Sequence, residues 1–135
     1  MGKYLICFCI VLLCFACTDS TDDNDQVTID NIANFEASIQ LLEISLSAVE
    51  EVPMKYQEHQ LLKIEGEMYL RSRSGDYITT SLLKKDTNQN FKLVGISCTT
   101  SDCSSTDGCI PNSDGKSCTK CKYKCTKTVT GGNQQ

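Results

Sequence analysis

The chain has 135 residues, with 17 acidic and 13 basic side chains and a formal net charge of −4. This length favours one small domain. An acidic chain without a basic stripe is a poor match to nucleic acid, and no nucleic-acid partner is expected. The chain has no Trp and only five Tyr and four Phe, which argues against a broad aromatic binding platform.

The N-terminus combines a positive charge at Lys3 with an uncharged apolar segment over residues 4–16. A membrane-spanning helix needs about 20 residues, so this segment is too short to span. A charged start, a short apolar run and a small residue at its end are typical of a secretory signal peptide. We therefore predict that residues 1–16 are a signal peptide, with cleavage between Ala16 and Cys17.

The stretch Cys14-Phe15-Ala16-Cys17 meets the cleavage requirements of two kinds of signal peptidase. An ordinary signal peptidase needs small residues at the first and third positions before the cut, which are Ala16 and Cys14. The lipoprotein peptidase needs a small residue followed by a cysteine, which are Ala16 and Cys17. This stretch resembles a lipobox, although that motif usually has Leu where this chain has Cys14. The chain is thus similar to small cysteine-rich bacterial lipoproteins over residues 1–26, and the rest carries no such resemblance. The resemblance implies that Cys17 is the lipid-attachment residue and that the protein is anchored to a membrane of the bacterial cell envelope.

The cysteine count favours the same interpretation. Ten cysteines are present, and Cys7, Cys9 and Cys14 belong to the predicted signal peptide. Seven remain, and an odd number in an exported protein requires an explanation. Lipidation of Cys17 leaves six cysteines to pair, whereas a plain secreted protein would keep one free thiol.

Residues 18–26 contain four acids, no base and no apolar side chain. Such a composition cannot bury enough surface to offset chain entropy, so we predict a disordered acidic tether over residues 17–28. Acidic runs behind a lipidated cysteine resemble the export tags of surface-displayed lipoproteins in some Gram-negative bacteria. That resemblance implies a position at the outer membrane or cell surface, with a periplasm-facing orientation as the alternative.

One amphipathic helix is predicted at the start of a body that spans residues 29–97. Thr28 or Asp30 would cap its start and Pro53 marks its end. Leu41 and Ile44 lie off its apolar stripe and need a second contact, either with the cysteine-rich tail or with a partner. The spacing of three and four residues along the stripe is helical, although residues 42–48 also alternate as a strand would. The stripe comprises Ile32, Phe35, Ile39, Leu42, Leu46 and Val49.

Three strands are predicted after the helix, over residues 62–71, 77–83 and 91–96. Turn signals at residues 74–76 and 86–90 separate them. Short connections make neighbouring strands antiparallel, and the helix is the expected cover for one face of the sheet. The predicted fold class is α+β, with one amphipathic helix packed on a three-stranded antiparallel meander and followed by a small disulfide-rich C-terminal segment.

The C-terminal module, residues 98–125, is rich in cysteine and poor in apolar residues, with Ile110 alone between the cysteines. It cannot fold by burial, so covalent bonds or a metal must hold it. Three disulfides are expected in an exported chain, and the sequence cannot choose their pairing. The flanking residues 126–135 are predicted to be a flexible tail. The six cysteines are Cys98, Cys103, Cys109, Cys118, Cys121 and Cys125.

Zinc is the alternative to disulfides, because Cys118 and Cys121 have the C-x2-C ligand spacing. The other cysteines lack that spacing and no histidine is near, so neither a metal nor a cofactor is predicted. A thiol oxidoreductase would need a buried strand before Cys118, where residues 112–117 instead indicate a turn.

No catalytic residue is predicted. His59 is the only histidine and lies among charged and polar neighbours, which indicates a solvated surface side chain. The sequence favours a non-enzymatic envelope lipoprotein with a binding or structural role, whose partners are the membrane and an unidentified protein. Two alternatives stay open: an exported zinc-binding module, and an inhibitor or immunity-type lipoprotein that blocks a hydrolase.

Overall fold

The computed structural model describes residues 27–103 and 108–130. A 3₁₀ turn at Ile29–Asn31 precedes one α-helix, and five strands follow in a single antiparallel sheet. The strands pair in chain order, so each lies beside its neighbour in sequence. The elements are α1 (Phe35–Glu50), β1 (Glu58–Ile64), β2 (Glu67–Ser74), β3 (Tyr77–Lys85), β4 (Phe91–Thr100) and β5 (Thr126–Val129).

The prediction of a three-stranded meander is wrong, because the described fold is mostly β with five strands. The predicted strand over residues 62–71 is in fact a hairpin of β1 and β2, whose last pair is Ile64 with Glu67. Glu65 and Gly66 form its turn with φ of 50° and 85°. Two-residue hairpin turns of this kind need positive φ at both positions, and Gly66 supplies the conformation that side chains disfavour.

The fifth strand is the second difference from the predicted meander. β5 occupies the start of the predicted flexible tail and pairs with an extended β4, where Cys98 lies opposite Lys127. The four residues of β5 are half-buried or exposed. Because three of them are polar, no alternation of apolar and polar residues marks this strand in the sequence. The bond from Cys125 to Cys109 lies immediately before β5 and restrains the chain next to the edge of β4.

The predicted helix forms, with different caps. It begins after Asn34, whose φ is 53°, and ends at Glu50; the next residue, Glu51, has a φ of 56° and lies two residues before Pro53. Thr28 instead begins the 3₁₀ turn, where its backbone N–H donates to Asn31 Oδ1 at 2.9 Å. Ile32 lies before the helix in a bridge to Phe91, so it belongs to the core without being helical.

The main core lies between α1 and one face of the sheet. Leu42 and Leu46 are 2% and 0% exposed and pack with Leu70, Leu83 and Leu93. Val49, predicted for the same stripe, is 56% exposed. An α-helix repeats every 3.6 residues, whereas alternating spacings of three and four average 3.5 residues. The apolar positions therefore shift gradually around the helix, and Val49 lies at the border of the stripe.

The opposite face of the sheet carries the cysteine-rich module. Successive side chains of a strand point to opposite faces of the sheet. Ser97 and Thr99 point to the face that α1 covers, so Ile96 and Cys98 point to the other face. Ile96, Cys98 and Cys109 form a second, smaller buried cluster. The sheet therefore has two covers, α1 on one face and the module on part of the other.

Candidate functional site

All six cysteines of the module form disulfides, as predicted. The pairs follow a regular order in which the first joins the fourth, the second the fifth and the third the sixth. Their Cα atoms lie 5.9, 6.3 and 5.6 Å apart, within the usual range for a disulfide. The pairs are Cys98–Cys118, Cys103–Cys121 and Cys109–Cys125.

The predicted turn at residues 112–117 is also present. The N–H of Asn112 donates to the carbonyl of Ser117 at 2.8 Å, and the N–H of Gly115 donates to that of Asn112 at 2.8 Å. Asp114 accepts from the N–H of Lys116 at 2.9 Å. Backbone and side-chain hydrogen bonds thus supply local order that apolar residues do not.

Three sulfurs of the module lie close together. The Sγ atoms of Cys98, Cys118 and Cys125 are within 4.8 Å of one another, which is a spacing that a metal ion can use. Here Cys98 is bonded to Cys118, and Cys125 to Cys109. Zinc binds thiolates, so these sulfurs become ligands only after the disulfides are reduced.

A backbone contact fixes the module on the sheet. Gly95 of β4 has φ 69°, and a Cβ atom there would lie 2.4 Å from the carbonyl oxygen of Gly115. The module therefore approaches β4 more closely than any side chain at position 95 allows. The pairing register shifts at the same place, because Ser81 lies opposite Ser97 and Leu82 opposite Val94, so Gly95 and Ile96 are extra residues on β4.

An ion pair joins the end of the helix to the module. The side chain of Glu50 is 4% exposed and accepts from Lys124 Nζ at 2.7 Å and from Thr126 Oγ1. Burial raises the pKa of Glu50, but the hydrogen bonds from Lys124 and Thr126 and the charge of Lys124 outweigh it, so the pKa is lowered. The carboxylate is thus charged at neutral pH and links the two covers of the sheet.

A row of hydroxyls lies buried beneath the helix. The Tyr56 hydroxyl is 2.5 Å from Thr79 Oγ1, which is 2.8 Å from Thr99 Oγ1. Ser81 and Ser97 form a similar pair at 2.5 Å. Burial raises the pKa of Tyr56 to about 12, so the phenol stays protonated. These groups satisfy one another and are closed to solvent, which indicates a structural role rather than a nucleophilic one.

His59 is half-buried, so the prediction of a solvated histidine is wrong. Its ring packs edge-on against Phe35 at 5.0 Å, and Nδ1 lies 2.8 Å from Ser72 Oγ. Burial lowers the pKa of His59, partly opposed by the charges of Glu36 and Glu43. Ser72 is 2% exposed, so a substrate has no access to the hydroxyl of this His–Ser pair.

A cleft of about 280 Å³ opens on the β1–β3 part of the sheet. Arg73 pairs with Glu58 at 3.6 Å, while Arg71 Nε donates to Thr80 Oγ1 at 3.4 Å. Among the described residues Arg71 forms no ion pair, so its guanidinium is available to a carboxylate or phosphate. Sequence reasoning missed this site, although Arg71 and Arg73 are two apart on β2 and so share a face. The cleft is lined by Glu58, His59, Gln60, Arg71, Arg73 and Ile78.

Cys17, the predicted signal peptide and nearly all of the predicted tether lie outside the described residues. No helix in the described part of the chain is long and apolar enough to cross a membrane. No protein-family model, curated protein or solved structure matches the chain.

Proposed function

We propose that the protein is an exported, lipid-anchored domain of the bacterial cell envelope with a non-enzymatic binding or structural role. Three disulfides joining all six cysteines of the module support export, because such bonds persist in oxidising compartments. Those three pairs use six of the seven cysteines that follow residue 16, and Cys17 is the seventh.

The proposed anchor is a thioether between Cys17 and lipid. Each buried methylene contributes about 0.8 kcal/mol, so several acyl chains hold a small domain stably at a membrane. The acidic residues that follow Cys17 provide a hydrophilic spacer between that membrane and the folded domain, which begins near residue 29.

The test of the anchor is fractionation of cells that express the full chain. We expect the wild-type protein in the membrane fraction and the Cys17→Ser variant in the soluble exported fraction. Cys9→Ser is the matched control, because it removes a thiol from the predicted signal peptide and should leave fractionation unchanged. Membrane retention of Cys17→Ser equal to that of wild type would contradict the proposal.

We assign ligand contact to the cleft between β1 and β3. The guanidinium of Arg71 and the partly paired Arg73 favour an anionic group, and Ile78 supplies an apolar contact beside them. Titration with inorganic phosphate and with acetate, followed by NMR, should shift cleft amides in wild type and not in Arg71→Gln. Lys92→Gln, at an exposed position on β4, is the control, and equal shifts in all three proteins would contradict the assignment.

The sulfur cluster favours a second candidate, an exported zinc module in which reduced Cys98, Cys118 and Cys125 are ligands. Metal analysis of protein purified without reductant separates the two proposals. Zinc bound in equal amount to protein, with alkylatable thiols, would support the zinc module. Absence of both zinc and free thiols would support the disulfide-stabilised domain.

A further inference from the structure

Two of the three disulfides meet at one point in the module. Cys98 is bonded to Cys118, and Cys109 to Cys125. The Sγ atom of Cys125 nevertheless lies within 4.8 Å of the Sγ atoms of both Cys98 and Cys118. Within the part of the chain that the structure describes, this three-sulfur cluster includes neither sulfur of the third disulfide. A sulfur that lies beside another disulfide is positioned for thiol–disulfide exchange with it.

Each of the two bonds joins a buried cysteine to a half-buried one. Cys98 and Cys109 are 0% and 2% exposed, whereas Cys118 and Cys125 are half-buried. A reductant in solution reaches the half-buried cysteine of a disulfide more readily than the buried one. A thiolate is also better solvated at the half-buried position, because burial of a charge is costly. The two half-buried sulfurs are therefore suited to carry the charge in an exchange reaction.

We propose that the module is a site of thiol–disulfide exchange for a dithiol reductant, in which the bond to Cys98 moves from Cys118 to Cys125. One thiolate of the dithiol attacks Cys125 Sγ, and Cys109 leaves as a thiolate and takes up a proton. The second thiolate of the dithiol then attacks the mixed disulfide at the reductant's own sulfur, and Cys125 leaves as a thiolate. The reductant has given up two electrons and is now a disulfide itself.

The Cys125 thiolate then attacks Cys98 Sγ, and Cys118 leaves as a thiolate and takes up a proton. One S–S bond breaks as another forms, so this step needs no further electron donor. Attack on a disulfide proceeds along its S–S axis, whereas three sulfurs within 4.8 Å of one another form a compact triangle. Once its bond to Cys109 is broken, the Cys125 side chain is able to rotate about its Cα–Cβ bond into line.

The surroundings of Cys118 make it the better leaving group. Lys116 and Lys120 lie two residues to either side of Cys118 in the sequence and are exposed. Nearby positive charge stabilises a thiolate, and a stabilised thiolate leaves faster. Attack on Cys118 would instead release the thiolate of Cys98, which is fully buried.

The exchange releases one segment of the module from its cross-links. The product keeps Cys98 of β4 bonded to Cys125, which immediately precedes β5, and it also keeps the third disulfide. Residues 109–118 then lie between two thiols. This segment includes Gly115, whose carbonyl contacts Gly95. Reduction by one dithiol should therefore loosen the contact with β4 while β4 and β5 stay linked.

Cys109→Ser tests the exchange without a reductant, because it leaves a thiol at Cys125 beside the bond from Cys98 to Cys118. The full chain also carries Cys17→Ser, so the outcome does not depend on the proposed lipid anchor. The protein is incubated with a chelator near pH 8.5, where about half of ordinary cysteine thiols are ionised. It is then quenched in acid, alkylated with N-ethylmaleimide in mild acid and mapped by mass spectrometry. We expect label on Cys118 as well as on Cys125.

Cys103→Ser is the matched control. It likewise removes a buried cysteine and leaves a thiol at a half-buried one, Cys121, whose sulfur is outside the cluster. The label in this control should stay on Cys121. Label confined to Cys125 in Cys109→Ser would overturn the proposal. So would label on Cys98, or redistribution of label in the control to the same extent.

Partial reduction of the chain that retains all six module cysteines tests the same step if a variant does not fold, which circular dichroism establishes. Limiting dithiothreitol, acid quench and peptide mapping should reveal molecules with a bond between Cys98 and Cys125 and with thiols at Cys109 and Cys118. Absence of that bond from molecules that have lost one disulfide would contradict the exchange.

Discussion

The two faces of the sheet are stabilised in different ways. On the helix face, Leu42, Leu46, Leu70 and Leu83 form a core that burial alone can hold. On the module face, the buried cluster comprises Ile96, Cys98 and Cys109, with half-buried cysteines around it. One sheet thus combines a hydrophobic core with a covalently held cover, and only the second depends on an oxidising environment.

The difference also explains where polar groups are tolerated. The helix face buries serine and threonine hydroxyls that pair with one another, because the apolar core around them excludes water. The module uses hydrogen-bonded turns and disulfides and exposes most of its lysines. The helix face should therefore respond to cavity-forming substitutions, and the module face to reduction.

Reduction of the three disulfides should have the largest effect. Each bond closes a sequence separation of 16 to 20 residues, and a loop of this size contributes about 3 kcal/mol to the free energy of unfolding. We expect hydrogen exchange to accelerate in residues 108–125 while the amides of α1 and β2 stay protected. Equal loss of protection on both faces would show that the helix face cannot fold by itself.

Leu46→Ala should produce the next largest effect. Leu46 is fully buried, so its truncation leaves a cavity and should lower the free energy of unfolding by about 2–5 kcal/mol. Leu41→Ala is the control on the same helix, at an exposed position, and should change stability by less than about 0.5 kcal/mol in dilute protein. Urea denaturation measures both, and similar costs for the two would contradict the assigned core.

Gly95→Ala tests the backbone contact between β4 and the module. We expect a loss of about 2–3 kcal/mol, since a methyl group would overlap the Gly115 carbonyl and φ is positive. Gly75→Ala provides the comparison, because φ is 57° there but no atom lies within 4 Å. That variant should lose only the conformational cost of about 1 kcal/mol. Equal losses would show that the module does not approach β4 so closely.

Glu50→Gln should have the smallest effect and should be visible mainly through pH. The folded-state pKa of Glu50 is lowered, so its contribution is complete at neutral pH and is lost as the pH falls through that lowered pKa. The variant should therefore be less stable than wild type at pH 7, and the two should converge in acid. Glu58→Gln, in an exposed pair with Arg73, should follow the wild-type curve within experimental error.

Much of this architecture follows from sequence pattern. The spacing of Ile39, Leu42 and Leu46 identified the helix and its buried face, and the polar composition around the six cysteines identified a segment held by disulfides. Turn residues at Gly75 and Asp86 marked two of the strand connections. These signals are local, so they survive without any knowledge of tertiary contacts.

The errors arose where local pattern is ambiguous. Gly66 fits the alternation of a strand and equally fits a hairpin turn, and only the pairing of β1 with β2 distinguishes the two. β5 depends on β4 and on Cys125, which are non-local partners. The cleft around Arg71 and the burial of His59 likewise arise from neighbouring strands and from Phe35, so the sequence alone did not reveal them.

The most direct test of the account is the intact mass of the protein recovered from cells, with and without reductant. The account predicts an N-terminus at Cys17 with an added acyl mass, and a rise of about six daltons on reduction from the three disulfides. A chain that begins at Cys17 without added mass, or that still carries residues 1–16, would contradict the lipid anchor.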